Sequence, residues 1–330
     1  MTERDNKVQI IIPTITKDYL RMRHLVPERI LEFLPASELI FIGNSELCDL
    51  VNKDIAGKYG DKPIRALNEE ELLKRQPVID YINERVARIK EELVSPVRPG
   101  WYYQQFLKMR FSALCEGDYY MSWDMDTVPL REIDMFDLTG KPVFDIKKEF
   151  IPGYFNTIEK LLGLKKNEDG SFISEHMIFD KDYMKEVIEA IGASEVKGDT
   201  FWKKIIEAID DDYITLGFSE FETYGTYVTA KYPDAYGRRR FYSLRRGSWF
   251  VKESDVTEED LTWISHDYDA LTFENAEQIP DMVQLFRNPK YRNNMSAKKF
   301  YETILESGYF GEYRDGWLDA GGTGDWYAPV

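Results

Sequence analysis

The stretch Tyr119-Tyr120-Met121-Ser122-Trp123-Asp124-Met125-Asp126-Thr127 sets the reading of the chain, because an apolar strand runs directly into two carboxylates spaced i, i+2. In an extended backbone alternate side chains share a face, so Asp124 and Asp126 are expected to project together where the strand opens into a loop. Two hard oxygen donors at such a place suit a divalent cation that keeps positions open for water and phosphate oxygens. Acidic residues at strand ends also start turns and cap helices, and the spacing alone leaves both readings open.

Upstream, 7–15 reads as a buried strand whose Val8, Ile10, Ile11 and Ile12 run into Pro13, a residue unable to continue a central ladder. The spacing of Leu20, Leu25, Ile30 and Leu31 predicts a helix over 18–33, broken near Pro27, and 38–42 and 63–67 read as further strands. Helix is predicted for 100–115, approached through Ser95-Pro96-Val97-Arg98-Pro99, with Gln104 and Lys108 one turn apart on one face. Downstream, 142–145 reads as a strand, 154–164 as a helix, 165–170 as an exposed acidic loop, and 172–179 as strand-like or irregular. Helices follow at 181–191 and 200–209, and Ser219 with Glu222 fits a capping box that opens a helix over 219–227. Late strands are predicted at 241–251 and 263–273, surface helices at 279–285 and 296–307, and a Gly-rich tail over 320–330. The alternation of strand and helix argues for an α/β layer on a mainly parallel sheet flanked by helices, where ligands sit at the carboxyl ends of the strands. No long linker or repeat divides the chain, so one α/β domain is expected over 1–274, with a helical C-terminal appendage over 275–330.

At 330 residues, 43% of them hydrophobic and 14% aromatic, the chain can bury a full core and has a globular composition. A net charge of -16 argues against nucleic acid as a partner, since that affinity rests on clustered Lys and Arg. No run approaches the ~18 apolar residues of a membrane span, and the charged start, 1–7, lacks the apolar stretch of a signal peptide. Cys48 and Cys115 stand far apart, the pattern of free thiols in a reducing, cytoplasmic compartment. Three histidines, His24, His176 and His266, are too few for a histidine-rich metal cage. Arg238-Arg239-Arg240 and Arg245-Arg246 form a basic cluster suited to a diphosphate or an anionic membrane surface, or equally to a solvated turn between strands. The sequence carries no signature of an oligomeric state.

Three motifs in order resemble a family of largely uncharacterised bacterial glycosyltransferases of the GT-A type, found around cell-surface polysaccharide biosynthesis. They are Gly100-Trp101-Tyr102-Tyr103-Gln104-Gln105 with Lys108, then Trp123-Asp124-Met125-Asp126-Thr127, then Ser219-Glu220-Phe221-Glu222-Thr223-Tyr224-Gly225. The resemblance implies a GT-A-like, Rossmann-like half that binds a nucleotide sugar, a uridine diphosphate sugar by preference, and a second half for a glycan or lipid-linked glycan acceptor. It also implies a DxD site for Mn²⁺ or Mg²⁺. The expected place is the cytoplasm, either free there or in peripheral contact with the inner face of the membrane.

By that resemblance Asp126 contacts the metal and Asp124 contacts ribose, or the metal through water. His266 stands where related folds supply a third ligand, its other reading being a hydrogen-bonded histidine at a strand end. Pro13, Thr14 and Thr16 fall where such chains begin their uridine pocket, or form a simple turn. Gln104 and Lys108 are placed to reach the donor's sugar or diphosphate unless that helix face is turned to solvent. An inverting enzyme needs a base for the acceptor's proton, and Glu220 and Glu222 are the candidates. Two residues apart on a helix, only one enters the site, and Glu220 is preferred because Glu222 has a capping role with Ser219. In a retaining enzyme the same carboxylates would bind sugar hydroxyls. Glu175 and His176 are candidates to face the acceptor. Two other functions fit the same residues. A non-catalytic carbohydrate-binding protein would stack its aromatics on sugars. A nucleotidyltransferase would need a Gly-rich basic loop where this chain has Ile12-Pro13-Thr14-Ile15-Thr16.

Overall fold

The computed structural model describes residues 8–89, 93, 95–147, 151–166, 170–274 and 284–306. The expectations for 1–7, 167–169, 279–283 and the tail 320–330 lie outside them.

Val8–Pro13 (β1) is buried at every residue, as befits an Ile-rich strand covered on both faces. It lies at the middle of a five-stranded sheet ordered Ile64–Asn68 (β3), Ala36–Gly43 (β2), β1, Tyr119–Trp123 (β4) and His176–Asp180 (β7). The first four run parallel. Only β7 is antiparallel, with Trp123 opposite His176. The chain is thus α/β with a mainly parallel sheet, and the carboxyl ends of β1 and β4 lie side by side.

The helix expected over 18–33 is two helices, Thr16–Met22 (α1) and Val26–Phe33 (α2). Pro27 does not break a helix but starts α2, in the first turn, where a missing N–H costs nothing. The crossover from β2 to β3 is Ser45–Asp54 (α3), capped by Asn44, whose side chain accepts from Leu47 N. Glu69–Leu72 (α4) and Arg75–Ala87 (α5) follow β3, and Pro99–Arg110 (α6) leads into β4. α6 packs against β1, α5 and Glu220–Lys231 (α10), burying Tyr102, Tyr103, Gln105, Phe106, Leu107, Lys108 and Met109. Its Lys108 is therefore not on a solvated face.

Pro152–Leu162 (α7), Lys181–Ala193 (α8) and Phe201–Ala208 (α9) pack on one another before α10. A small second sheet pairs Thr127–Pro129 (β5) with Ala270–Thr272 (β10), and β10 with Ser243–Leu244 (β9). Val143–Asp145 (β6) pairs with Gly237–Arg239 (β8). The two long late strands are thus corrected to short ones. Residues 263–265 belong to the helix Glu258–Ser265 (α11), started by a capping box in which Asp260 N donates to Thr257 Oγ1 at 3.2 Å and Thr257 N to Asp260 Oδ2 at 3.0 Å. That Thr-x-x-Asp signal outweighed the strand-like Trp263-Ile264.

Two further helices, Pro289–Arg292 and Ala297–Glu306, join the main core. The rings of Phe300 and Tyr301 lie 6.0 and 5.8 Å from Phe250. The Arg292 guanidinium sits 4.3 Å above the Trp263 ring and 2.9 Å from Asp260. Among the described residues no helix is long and apolar enough to cross a membrane.

Candidate active site

β4 ends at Trp123, and Thr127 N donates to Asp124 O at 3.1 Å, so Asp124 to Thr127 form a turn. The Trp123 indole N–H fastens it by donating to Thr127 O at 2.8 Å. Met125 is buried while Asp124 and Asp126 stay partly exposed. The turn forms, and the Asp124 side chain, 33% exposed, keeps to its open side. Neighbouring strands grip its backbone: Asp124 N donates to Glu175 O at 2.9 Å, and Phe273 N to Asp126 O at 2.7 Å.

One buried ammonium joins the three sequence motifs. Lys108 Nζ lies 3.1 Å from Asp124 Oδ1 and 2.9 Å from Glu220 Oε1, and 4.5 Å above the Phe221 ring. Burial works to lower the lysine's pKa, but Asp124 and Glu220 together outweigh it and hold the ammonium well above the ordinary range. Glu220 is fixed from behind as well, since its backbone N–H donates to Gln105 Oε1 at 3.0 Å.

The end of β1 meets the same helix. Gln104 Nε2 donates to Pro13 O at 2.8 Å, and Thr14 N donates to Ile42 O at 2.9 Å. Gly43 allows β2 to come this close, because a Cβ there would lie 2.7 Å from Thr14 O. The Thr16 hydroxyl is buried without a hydrogen-bond partner among the described residues. Pro13, Thr14, Thr16, Gln104, Lys108, Asp124 and Glu220 are thus gathered at the carboxyl edge of β1 and β4.

Asp126 stands in a charged neighbourhood. Burial above all, then the like charges of Asp124 and Glu274, push its carboxyl up to about 7 against the pull of Arg21 and Arg245. Arg21 Nη1 donates to Phe273 O at 2.8 Å, and Arg245 Nη2 lies 3.5 Å from Glu274 Oε1. Glu274, Arg21 and Arg245 were not singled out individually by the sequence reading. Glu274 carried the signal that marked Asp126, an acid just beyond an apolar strand end.

His266 is not brought to this place. It is the exposed C-cap of α11 and precedes β10, whereas β10 meets the Asp126 turn through its other end, Phe273. Among the described residues no three His, Cys, Asp or Glu side chains gather into a metal-binding group. The acidic oxygens of Asp124 and Asp126 nevertheless fit a hard divalent cation, since positive charge there would offset the burial, and after it the like charges of Asp124 and Glu274, that raise Asp126, and leave the remaining coordination positions to water or phosphate.

Glu175 and His176 are buried and have internal partners instead of facing outward. Glu175 is 2.8 Å from Lys147 Nζ and 3.2 Å from Arg245 Nε, and accepts from Ser243 Oγ at 2.8 Å. Burial opposes its ionisation, but these cations hold its carboxyl far below the usual range. His176 stacks on Trp123 with ring centres 4.6 Å apart, and its Nε2 lies 2.7 Å from Asp145 Oδ2. Asp145 also binds Arg239, 2.6 Å away, so this arginine of the basic cluster is not part of a solvated turn. Glu222 is buried too, accepting from Phe172 N at 3.1 Å and from the Ser171 hydroxyl. Only half of the expected capping box forms: Glu222 N donates to Ser219 Oγ at 3.2 Å, while the carboxylate turns to Ser171 instead of the Ser219 N–H.

A protein-family model described as "Family of unknown function (DUF6492)" matches residues 5–272, which run from β1 through β10. The chain belongs to this family. The DUF6492 match holds all three motifs and the end of β1, but not Glu274. No curated protein matches the chain. Among solved structures it is similar to mouse xyloside xylosyltransferase 1 in its apo form, with 12% identity and a TM-score of 0.40 over 83% of this chain and 99% of that one. It is similar also to an active-site mutant of LgtC, with 11% identity and a TM-score of 0.41 over 90% of this chain and 95% of that one. A third is the apo WbbM bifunctional glycosyltransferase, with 11% identity and a TM-score of 0.40 over 92% of this chain and 52% of that one.

Proposed function

We propose that this chain transfers a sugar from a nucleotide diphosphate sugar, a uridine diphosphate sugar by the resemblance of its motifs, to a glycan or lipid-linked glycan of surface polysaccharide synthesis. The observation that carries the proposal is the Lys108 bridge between Asp124 and Glu220. It draws three motifs distant in sequence to the carboxyl edge of a mainly parallel sheet, the edge at which such sheets bind ligands.

Asp124 and Asp126 would hold Mn²⁺ or Mg²⁺, which when bound offsets the negative charge growing on the departing diphosphate. The chain's own groups do the rest. Pro13, Thr14 and Thr16 form the turn that receives base and ribose, held in place by Gln104. Arg21 and Arg245, the cations acting on Asp126, would add positive charge beside the diphosphate. Glu220 is buried with one oxygen engaged by Lys108, and shapes the site from behind Asp124. This supports a positioning role for Glu220 in place of the free general base expected from sequence.

A panel of nucleotide sugars, screened for Mn²⁺-dependent binding and slow hydrolysis with wild type and Asp126→Ala, tests the reading. One donor selected with metal and lost in the variant is the expected result. A folded wild type that binds none of them would instead favour a carbohydrate-binding protein.

A further inference from the structure

Resting on that reading, we infer that Lys108 is a positioning residue that sets the orientation and effective charge of Asp124 without touching the ligand, and that Glu220 tunes it from the other side. The side chain of Lys108 is 6% exposed and that of Asp124 33%, so an incoming ligand meets the carboxylate and not the ammonium. The ammonium's surroundings are filled by Asp124, Glu220 and the face of Phe221.

All three members of this bridge are anchored through their backbones, Asp124 by its N–H to Glu175 O at 2.9 Å. Lys108 O accepts from the buried Tyr120 hydroxyl at 2.8 Å, tying its backbone to β4. Glu220 N is tied to Gln105 on α6. Asp124 alone has a partly exposed side chain. The ammonium therefore has two opposing effects on a cation at Asp124. It fixes one carboxylate oxygen in place, and its positive charge repels the cation. Glu220 shares that positive charge, so removing the Glu220 charge leaves the ammonium more fully on Asp124.

The consequence is a pair of effects of opposite sign. Removing the ammonium in Lys108→Met is expected to tighten binding of Mn²⁺ alone by about tenfold, the scale of a unit charge removed a few Å from a cation. It should at the same time weaken binding of a uridine diphosphate sugar in saturating Mn²⁺, because Asp124 and Glu220 lose their common anchor. Glu220→Gln, close in shape to the native residue, is expected to weaken Mn²⁺ binding severalfold although Glu220 does not reach the cation. Lys108→Arg, which keeps the charge, should stay near wild type for Mn²⁺.

The test is calorimetric titration of the full-length protein with Mn²⁺ alone, then with uridine diphosphate sugar in saturating Mn²⁺, each variant first checked for a cooperative melt. A role confined to holding the fold would weaken Mn²⁺ binding in Lys108→Met and would not give opposite signs. Should Lys108→Met fail to fold, Glu220→Gln decides alone, and an unchanged Mn²⁺ affinity there overturns the inference. Wild-type Mn²⁺ binding that is lost in Asp126→Ala but indifferent to Lys108 and Glu220 overturns the inference and leaves the proposed function standing. Absence of any Mn²⁺ binding by the wild type overturns both.

Discussion

The side-chain amide of Gln104 donates to the carbonyl oxygen of Pro13 at 2.8 Å, so the helix before β4 holds the last residue of β1. Gln104→Ala frees that carbonyl at a cost of about 1 kcal/mol. Gln104→Glu is expected to cost more, because a carboxylate would face a carbonyl with no proton to share. Urea denaturation ranks the two variants. Uridine diphosphate titration should show affinity falling in the same order, and a Gln104→Glu protein as stable as wild type would remove the contact from the account of the site.

Burial holds Glu222 near 7, up from an ordinary 4.5, with Ser171 pulling the other way. A value raised in the folded state means that folding favours the protonated form. The stability linked to Glu222 is then complete below about pH 4.5 and is lost as pH rises through about 7. Glu222→Gln keeps an oxygen for Phe172 N and carries no charge. It should flatten the stability profile and exceed wild type at about pH 8 by on the order of 1–2 kcal/mol. Denaturation midpoints measured across that range check the sign, and a Glu222→Gln profile parallel to wild type would count against it.

A Cβ on Gly225 would lie 2.4 Å from the ring carbons of Phe172. Phe172 cannot withdraw freely, because its N–H is bonded to Glu222. Gly225→Ala is therefore expected to destabilise by roughly 1–3 kcal/mol through overpacking. Adding Phe172→Leu should recover part of the loss, a coupling that thermal melts of the single and double variants would reveal. Strict additivity would locate the strain elsewhere.

Under the proposed function, Glu274 and His266 are expected to differ in their effect on a cation at Asp126. Removing the Glu274 charge beside Asp126 in Glu274→Gln should weaken Mn²⁺ binding severalfold. His266→Ala, changing the exposed end of α11, should leave it unchanged. Parallel Mn²⁺ titrations separate them, and a loss in His266→Ala as deep as in Asp126→Ala would make the histidine a ligand after all.

The strands at the centre of the molecule were readable because Ile10 to Ile12 and Tyr119 to Trp123 announce buried ladders without help from distant residues. The placing of Gln104, Lys108, Asp124 and Glu220 along helices and at a strand end was readable for the same reason. Their convergence was not, since nothing local in a lysine says that it will be buried between two carboxylates. The two late strands were drawn too long for a related reason. Ser243–Leu244 and Ala270–Thr272 exist only through their pairing, and periodicity over such short lengths carries no signal. Glu175 and His176 are polar in sequence and buried in space because Lys147, Arg245 and Asp145, all remote along the chain, come to meet them.

Phe300 and Tyr301 cover Phe250, and Arg292 covers Trp263. The region of family similarity ends at residue 272, before any of these covering residues begins. A truncation placed there would retain all three motifs yet strip the lid from an aromatic cluster and turn it toward water. Such a fragment would be expected to aggregate on expression, so sequence similarity is a poor guide to where this protein can be cut.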